Sequence, residues 1–342
     1  MTNVVHGAAN SELHEKLREA LAVYWSSDEP GHQLKPDLLT DVHAVRGWEA
    51  LRATVPAYGR RQAAFVKVFA DSVSFEREQD GLTRARAVAI GADEGARVPA
   101  ELCAVVSAQA LIMEHVEGVP LSRSLRKTAP FAPRVYADVF YALGKWLARF
   151  HAQKPPQSEP AALLARQELF IRDVLERAEP RIGAARLRAA RRLLDRLLTS
   201  VATDPGRAVY CHGDFQPDNM ILSRNRVNVV DFAYSGVGYP EQDLVLLRHN
   251  LIMNTTDLPF AFRLVRPLWS AFVAGYGHPS LTVGTSPTWD LFELRYQSFS
   301  VSSEWYRDAQ TPPRRLLLMY RYFRTVGRFR RWLDDRSTTY GL

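Results

Sequence analysis

The apolar positions of this chain fall into two periods, one typical of helices and one typical of strands. Leucines recur at three- and four-residue spacing after Ser11, a favourable N-cap, so an amphipathic helix is predicted to begin there. Pro180 and Gly183 are predicted to separate two later helices. The predicted helices span residues 11–25, 74–90, 133–152, 161–178, 184–201, 243–254, 260–274, 289–307 and 312–335.

Short apolar runs bounded by Gly, Pro and polar residues predict strands instead. The predicted strands span residues 42–47, 50–55 and 63–70, and a second run starts at 99–103 and continues through 104–107 and 110–114. The alternation within residues 63–70 places Lys67 on the same face as two phenylalanines. A lysine inside a strand requires a reason, because strands favour apolar residues. Lys67 therefore either serves a function or faces water on an edge strand.

A polar loop and a predicted hairpin contain three further candidate site residues. The hairpin is predicted from Met220–Ser223 and Val227–Val230, because the residues between them include an Asn, which tolerates a positive φ. It brings Asn219, just before its first strand, beside Asp231, just after its second. Asp214 precedes Asn219 in the same loop.

These three side chains suit a magnesium ion and phosphoryl transfer. Mg²⁺ binds one or two protein carboxylates, and phosphate oxygens and water complete its shell. In kinases a catalytic-loop Asp accepts the proton of the acceptor hydroxyl, while an Asn and a later Asp hold the metal. The spacing Asp-x-x-x-x-Asn from Asp214 to Asn219 matches that loop. The alternative is a hairpin with incidental polar residues in its loops.

Length and cysteine content narrow the class of protein. A chain of 342 residues exceeds the usual size of one hydrophobic core, so two lobes are expected. Cys103 and Cys211 lack metal-ligand spacing and suit a reducing cytoplasm, where we expect the protein to be. The first residues lack a basic start followed by an apolar run, and no stretch approaches roughly 18 apolar residues. Neither a signal peptide nor membrane insertion is therefore expected.

The chain is basic, with a net charge of +7. This charge favours anionic partners such as ATP. No zinc-finger spacing or RNA-binding aromatic motif is present, so no nucleic-acid partner is expected. Residues 314–331 carry seven arginines, which form either a solvated helix face or a surface for an anionic substrate, lipid headgroup or partner.

Four short segments together resemble the aminoglycoside phosphotransferase and choline kinase superfamily. The sequence HGDFQPDN at residues 212–219 resembles its catalytic loop. The sequences VDF at 230–232, GYP at 238–240 and DL at 243–244 resemble its metal-binding segment and the residues that follow. The resemblance implies an ATP-dependent kinase of a small-molecule hydroxyl.

The same resemblance implies an α+β fold of the bilobal protein-kinase type. A small N-lobe with a mostly antiparallel sheet is expected over residues 1–115, where the nucleotide binds. A larger, mainly helical C-lobe is expected over residues 116–342, with the catalytic loop, the metal site and the acceptor-binding helices. The oligomeric state stays open.

Single residues acquire roles from this resemblance. Lys67 is expected to hold the α- and β-phosphates of ATP and to pair with Glu78, with Glu76 as the alternative partner. Backbone groups of the hinge residues Glu114 and Val116 are expected to bind the adenine. GTP stays open as an alternative to ATP.

The catalytic loop and the hairpin acquire roles in the same way. Asn219 and Asp231 are expected to bind Mg²⁺, and Asp214 is expected to act as the base. His212 is expected to be a scaffold of the loop. His151 and Asp243 are expected to be structural.

The sequence departs from the kinase pattern in two places. No G-x-G-x-x-G loop joins the first two strands, which leaves open the groups that cover the phosphates; Arg46 near this turn is one candidate. Asp231 begins Asp-Phe-Ala rather than Asp-Phe-Gly, and no Ala-Pro-Glu segment follows, so a small-molecule acceptor is favoured over a protein. An inactive nucleotide-binding regulatory protein is the other alternative.

The acceptor is predicted only as a class. Sugars, amino alcohols and antibiotics are all acceptors in the family that the chain resembles. From Glu241 to the end, 9 Asp and Glu stand against 13 Arg and no Lys. This excess of positive charge favours a neutral or anionic acceptor, such as a sugar, over a polycation.

Overall fold

The computed structural model describes residues 3–26, 43–46, 50–55, 63–88, 95–127, 133–153, 155, 160–202, 208–223, 226–255, 262–277, 286–303 and 312–341. The chain forms two compact units. The first comprises residues 1–121 and 218–236, and the second comprises residues 122–217 and 237–342. The lobe boundary between residues 115 and 116 stays a prediction.

In chain order, the elements are α1 (Asn3–Ser26), β1 (His43–Arg46), β2 (Ala50–Val55), β3 (Ala64–Phe69), α2 (Ser72–Val88), β4 (Ala96–Arg97), β5 (Glu101–Val105), β6 (Ala110–Glu114), β7 (Val119–Pro120), α3 (Leu121–Lys127), α4 (Pro133–His151), α5 (Pro160–Ile182), α6 (Ala184–Ala202), β8 (Val209–Cys211), a 3₁₀ turn (Pro217–Asn219), β9 (Met220–Ser223), β10 (Arg226–Val229), β11 (Gly236–Gly238), α7 (Pro240–Thr255), α8 (Phe262–Tyr276), α9 (Pro287–Ser302) and α10 (Pro312–Thr339).

A five-stranded antiparallel sheet dominates the first unit. Its strand order is β1-β2-β3-β6-β5, so β3 lies in the middle. Helix α1 packs on β3 and β6, where Leu17 and Leu21 are buried with Val66 and Ile112. This packing stabilises the sheet face opposite Lys67, because alternate residues of a strand point to opposite faces. The helix begins well before the N-cap predicted at Ser11, which lies inside it.

Lys67 lies on a central strand, so the alternative of a water-facing edge lysine is wrong. Its strand is paired with β2 on one side and β6 on the other, and Lys67 is only 3% exposed. A buried lysine is costly unless it is paired with acceptors. Its partners therefore decide its role.

The boundaries of the strands before the hinge differ from the prediction. The strand predicted at residues 104–107 lies at Glu101–Val105, and residues 106–109 form the turn to β6. Gln109 reaches φ 48° in this turn, and the apolar pattern does not signal such a turn residue. Val105 is the last residue of the strand and is buried in the core below α1.

A second, four-stranded sheet of the first unit confirms the predicted hairpin. Strands β9 and β10 pair antiparallel, with Val229 opposite Met220, and the sheet order is β4-β10-β9-β7. Strand β4 joins β10 in parallel. The turn residues 224 and 225 lie outside the described residues. Pairing at both edges fixes the ends of the hairpin, next to Asn219 and Asp231.

The second unit is mainly helical, and two of its helices pack closely together at glycines. Helices α4 and α8 approach so closely that a Cβ on Gly144 would lie 2.1 Å from the carbonyl oxygen of Phe272. A Cβ on Gly275 would lie 2.0 Å from the carbonyl oxygen of Tyr141. Both positions therefore require glycine. Strand β8 pairs with β11, whose last two residues belong to this unit.

The break predicted at Pro180 is wrong. Helix α5 continues through Pro180 to Ile182, and Gly183 with φ 86° ends it. A proline removes one backbone donor from a helix, and here the loss falls near the end of α5. The glycine is the actual stop signal, because a left-handed residue is a common helix terminator. Among the described helices, none is both long enough and apolar enough to cross a membrane.

Candidate functional site

Lys67 is held between two carboxylates of the first unit. Its Nζ atom donates to Oε2 of Glu78 and to Oδ1 of Asp231, each at 2.6 Å. Glu78 is 1% exposed and lies on α2, whereas Asp231 follows β10. Burial alone would lower the pKa of Lys67, but the charges of Glu78 and Asp231 and their hydrogen bonds outweigh it and raise this pKa. Lys67 is therefore a fixed cation at neutral pH.

Glu78 is the partner of Lys67, as predicted from the resemblance, and Glu76 is not. Glu76 lies two residues earlier on α2 and is exposed. Positions two apart on a helix point in different directions, so only one of the two can face the sheet. The pair of Lys67 with Glu78 connects β3 with α2.

Helix α2 also contacts the segment that follows Asp231. A Cβ on Gly81 would lie 2.1 Å from Oγ of Ser235 and 2.8 Å from Cβ of Phe232. The Ser235 hydroxyl donates to the carbonyl oxygen of Arg77 at 3.1 Å. This close approach positions Asp231 opposite Lys67.

Asp231 has an unusual backbone and a second cationic partner. Its φ is 71°, in the left-handed region that few residues other than Gly, Asn and Asp adopt. Its Oδ2 atom accepts from Nη2 of Arg52 at 2.6 Å, while Oδ1 accepts from Lys67. Each oxygen of this carboxylate therefore contacts one cation.

These side chains line one cavity of about 300 Å³ within the first unit. Lys67, Glu78 and Asp231 form part of its wall, together with Arg52 and Asn219. The rest of the wall includes apolar side chains: Phe65, Leu82, Met113, Ile221, Val230 and Phe232. A mostly apolar cavity with a few charged groups is typical of a small-molecule site.

The predicted hinge residues lie at the same cavity. Glu114, His115 and Val116 are part of its lining. The backbone N–H of Glu114 donates to the carbonyl oxygen of Ala100 at 2.8 Å, and that of His115 donates to Ala63 at 3.2 Å. These bonds fix the path of the chain where β6 ends.

The donor set of the cavity fits a magnesium ion. Asn219 supplies an amide oxygen and Asp231 a carboxylate, and both line the cavity. Hard oxygen donors in this small number suit Mg²⁺, which retains water and phosphate oxygens as its other ligands. Both residues that we predicted as metal ligands, Asn219 and Asp231, therefore line the same cavity.

Asp214 belongs to the second unit, and its loop is hydrogen-bonded internally. Nε2 of Gln216 donates to Oδ1 of Asp214 at 2.8 Å. The backbone N–H of Asp214 donates to Nδ1 of His212 at 3.3 Å. Gly213 between them has φ 81°, where a side chain would be strained. The loop thus holds the Asp214 carboxylate in a defined orientation.

Asp243 at the start of α7 braces this loop. Its two oxygens accept from the backbone N–H groups of His212 at 2.7 Å and Gly213 at 2.8 Å. Nε2 of His151 lies 3.1 Å from the same carboxylate, and Nδ1 of His151 lies 2.8 Å from the Tyr276 hydroxyl. Asp243 is fully buried, so these contacts compensate for its loss of water. The contacts of His151 and Asp243 match the structural roles expected from the sequence.

Sequence reasoning missed Arg52 and Gln216. Arg52 lies directly opposite Lys67 in the register of β2 and β3. That register depends on tertiary pairing, although an arginine inside a predicted strand was a usable signal. The alternative candidate for the phosphates, Arg46, ends β1; its side chain and the turn that follows lie outside the described residues.

The chain matches one protein family over most of its length. The model of the family described as "Phosphotransferase enzyme family" matches residues 58–279. A choline/ethanolamine kinase of Rattus norvegicus is 28% identical over 112 residues. That match covers 30% of this chain and only 28% of the length of the rat kinase.

Solved structures of similar fold include kinases of different small molecules. An amicoumacin kinase in complex with AMP-PNP, Ca²⁺ and Ami has a TM-score of 0.60 at 13% identity, covering 97% of this chain and 96% of that chain. A choline/ethanolamine kinase family protein from Mesorhizobium loti has a TM-score of 0.51 at 15% identity, covering 91% and 93%. An aminoglycoside phosphotransferase from Streptomyces rimosus, with ADP and streptomycin, has a TM-score of 0.51 at 20% identity, covering 83% and 97%.

At these identities the likeness to solved structures shows the fold alone, a mixed α+β fold of the protein-kinase-like type. The family match is independent of that likeness and contains residues 212–219 and the hairpin. It confirms the resemblance that the sequence motifs indicated. The chain therefore belongs to the phosphotransferase enzyme family.

Proposed function

We propose that the protein is an ATP-dependent kinase that transfers the γ-phosphoryl group to a hydroxyl of a small molecule. The observation that carries this proposal is the buried Lys67 cation, held by Glu78 and Asp231 at 2.6 Å in a cavity that also presents Asn219. Kinases use a lysine of this kind to hold phosphates, paired with a helix glutamate. Membership of a phosphotransferase family supports the same reaction.

The nucleotide is proposed to occupy the cavity of the first unit. Apolar side chains such as Phe65, Leu82 and Met113 provide surfaces for a planar base. Backbone groups of Glu114 and Val116 are proposed to hydrogen-bond the adenine. Lys67 is proposed to hold the α- and β-phosphates. GTP remains an alternative nucleotide, because backbone recognition leaves the choice of base to the shape of the hinge.

Asn219 and Asp231 are proposed to hold the magnesium ion. When bound, the ion neutralises charge on the phosphates during transfer. The protein's own contribution is to fix these two oxygens at the wall of the cavity. Asp231 does so from a backbone held at φ 71°.

Asp214 is proposed to orient the acceptor hydroxyl and to accept its proton. The hydrogen bond from Gln216 fixes one oxygen of this carboxylate in a defined position. The brace by Asp243 keeps the preceding backbone rigid. A positioned carboxylate of this kind is the usual base in phosphoryl transfer to an alcohol.

The acceptor is proposed to be neutral or anionic. The relatives include kinases of choline or ethanolamine and of aminoglycosides, whose acceptors are cationic. The excess of arginine after Glu241 opposes such a substrate here. Arg328 illustrates this excess: burial lowers its pKa, and the nearby Arg324 lowers it further. Resistance to an aminoglycoside on expression of the gene would contradict this proposal.

Thermal melting of the purified protein tests the kinase proposal. Mg²⁺-ATP is expected to raise the melting temperature, because a ligand at 100 times its Kd stabilises by about 2.7 kcal/mol. Mg²⁺ alone is the control, and removing Mg²⁺ with a chelator is expected to reduce the shift. Mg²⁺-GTP in a parallel series tests the choice of base. The absence of any shift at saturating nucleotide would contradict a nucleotide site.

A second step of the same experiment tests catalysis. Sugars, amino alcohols and antibiotics are added with Mg²⁺-ATP, and phosphorylated product is measured by mass spectrometry. Transfer to one compound class confirms the kinase and names its acceptor. A nucleotide shift without transfer to any small molecule would favour the inactive binding protein, and transfer to a protein would favour a protein kinase.

Glu78 and Glu76 form a matched pair for a mutational prediction. Glu78→Gln is expected to lower the free energy of unfolding by about 1–3 kcal/mol, because the buried ammonium of Lys67 loses a charged partner. It is also expected to lower kcat/KM for ATP by up to about 100-fold through misplacement of Lys67. The exposed Glu76→Gln is expected to change the unfolding free energy by less than about 0.5 kcal/mol. Urea unfolding and steady-state kinetics measure both, and equal effects of the two substitutions would contradict the pairing.

A further inference from the structure

Arg52 and Lys67 share one carboxylate but are held very differently. Arg52 contacts Oδ2 of Asp231, and Lys67 contacts Oδ1, both at 2.6 Å. The side chain of Lys67 is 4% exposed and is fixed by Glu78 as well. The side chain of Arg52 is 44% exposed. Of the two cations, Arg52 is therefore the one that can leave.

The contact with Arg52 conflicts with the proposed role of Asp231. Each oxygen of the Asp231 carboxylate already accepts a hydrogen bond from a cation, Oδ2 from Arg52 and Oδ1 from Lys67. A divalent ion at Asp231 must therefore displace one of them. Displacing Lys67 would leave a buried ammonium with one partner fewer, whereas displacing Arg52 releases a side chain that water already reaches.

We propose that Arg52 changes partners when the magnesium nucleotide binds, leaving Asp231 and binding the terminal phosphates. This inference rests on the proposed function and adds a phosphate-binding residue to it. Arg52 lies on β2 directly opposite Lys67, and both side chains line the same cavity. Once released, the guanidinium of Arg52 lies in the same cavity as the nucleotide phosphates that Lys67 is proposed to hold.

The chemistry of the guanidinium suits this exchange. Arginine presents several N–H donors in a planar fork that fits a carboxylate or a phosphate equally well. In the absence of nucleotide it balances the charge of Asp231, and in its presence it balances the phosphates. The sequence lacks a Gly-rich loop between β1 and β2. Arg52 on β2, the strand that would follow such a loop, then supplies a side chain that binds the phosphates.

A nucleotide series with and without Arg52 tests the exchange. Arg52→Ala is expected to weaken binding of Mg²⁺-ATP and Mg²⁺-ADP about 10- to 100-fold, which is the loss of one charge-assisted hydrogen bond. Adenosine is expected to bind equally well to both proteins, because it has no phosphates. Isothermal titration calorimetry measures all three affinities. Arg52→Lys is expected to recover part of the loss, because it keeps the charge without the fork.

A magnesium titration without nucleotide gives a second readout of opposite sign. The Mg²⁺ concentration that gives half of the Mg²⁺-induced melting shift is expected to fall in Arg52→Ala, because the competitor for Asp231 is gone. A merely structural arginine would weaken the nucleotide, adenosine and the metal together, and that result would overturn the inference. Arg84→Ala is the control, because Arg84 forms an ion pair with Asp80 on α2 of the same unit and is not part of the cavity wall.

Failure of this inference is distinguishable from failure of the proposed function. Wild-type protein that binds Mg²⁺-ATP, with Arg52→Ala binding it equally well, would overturn the role of Arg52 and leave the kinase proposal intact. Wild-type protein that binds no nucleotide would overturn both. Arg52→Gln, which retains hydrogen-bond donors and length, repeats the series if the alanine variant does not fold.

Discussion

Asp214→Asn is expected to lower kcat by about 10²- to 10⁴-fold, which is the usual contribution of a positioned general base. The amide has nearly the same shape as the carboxylate, so the contact with Gln216 can persist. What the variant loses is the ability to take a proton from the acceptor hydroxyl. The affinity for Mg²⁺-ATP is expected to stay within a few-fold of wild type, because the proposed nucleotide site is built from other residues. Single-turnover kinetics and calorimetry separate the two effects.

Asp173→Asn is the matched control for this substitution. Asp173 forms an ion pair with Arg177 on the exposed face of α5 and is distant in sequence from the loop of residues 212–219. The same chemical change there is expected to leave kcat unchanged, since exposed pairs contribute little. Near-normal turnover in Asp214→Asn would overturn its assignment as the base.

Much of the candidate site follows from local sequence. The hairpin of β9 and β10 was predictable from two apolar runs and a turn, and it determines the placement of Asn219 and Asp231. The alternation of β3 singled out Lys67 as a polar residue in a buried strand. Both depend on short-range patterns, in which the period of the side chains fixes the face that each residue occupies.

The residues that sequence reasoning missed depend on distant contacts. Arg52 and Asp231 are 179 positions apart, and their contact requires the register of β2 with β3 and the packing of the hairpin. Choosing Glu78 over Glu76 from the residues alone was not possible, because the phase of α2 relative to the sheet is a tertiary property. The errors at Ser11 and Pro180 have a different cause. Helix α1 begins before Ser11 and helix α5 continues past Pro180, because tertiary context overrides local propensity of this kind.

The backbone of Asp231 shows how the site combines strain with charge. Its left-handed φ aims the carboxylate at Lys67 and Arg52, and those two contacts offset the cost of the conformation. The motif around Asp231 predicts a carboxylate at this position but contains no signal of its backbone conformation. The charge of the Asp231 side chain and the strain of its backbone can be separated by substitution.

Asp231→Asn is expected to lower kcat about 10²- to 10³-fold, the usual cost of removing one group that stabilises developing charge. It is also expected to reduce the Mg²⁺-dependent part of the ATP-induced melting shift, because an amide oxygen is a weaker ligand than a carboxylate. The free energy of unfolding is expected to fall by about 1–3 kcal/mol, since the buried ammonium of Lys67 keeps Glu78 but loses its second charged partner. The exposed Arg52 adds little to this loss.

Comparison with Asp231→Ala separates charge from backbone strain. Asparagine tolerates a positive φ, whereas alanine at φ 71° costs roughly 1 kcal/mol more. The alanine variant is therefore expected to be less stable than the asparagine variant by about that amount, while both lose activity to a similar degree. Urea unfolding of the three proteins measures the difference. Wild-type activity in Asp231→Asn at ordinary Mg²⁺ concentrations would overturn the metal-binding role, because the amide cannot replace the charge that Mg²⁺ requires at this position.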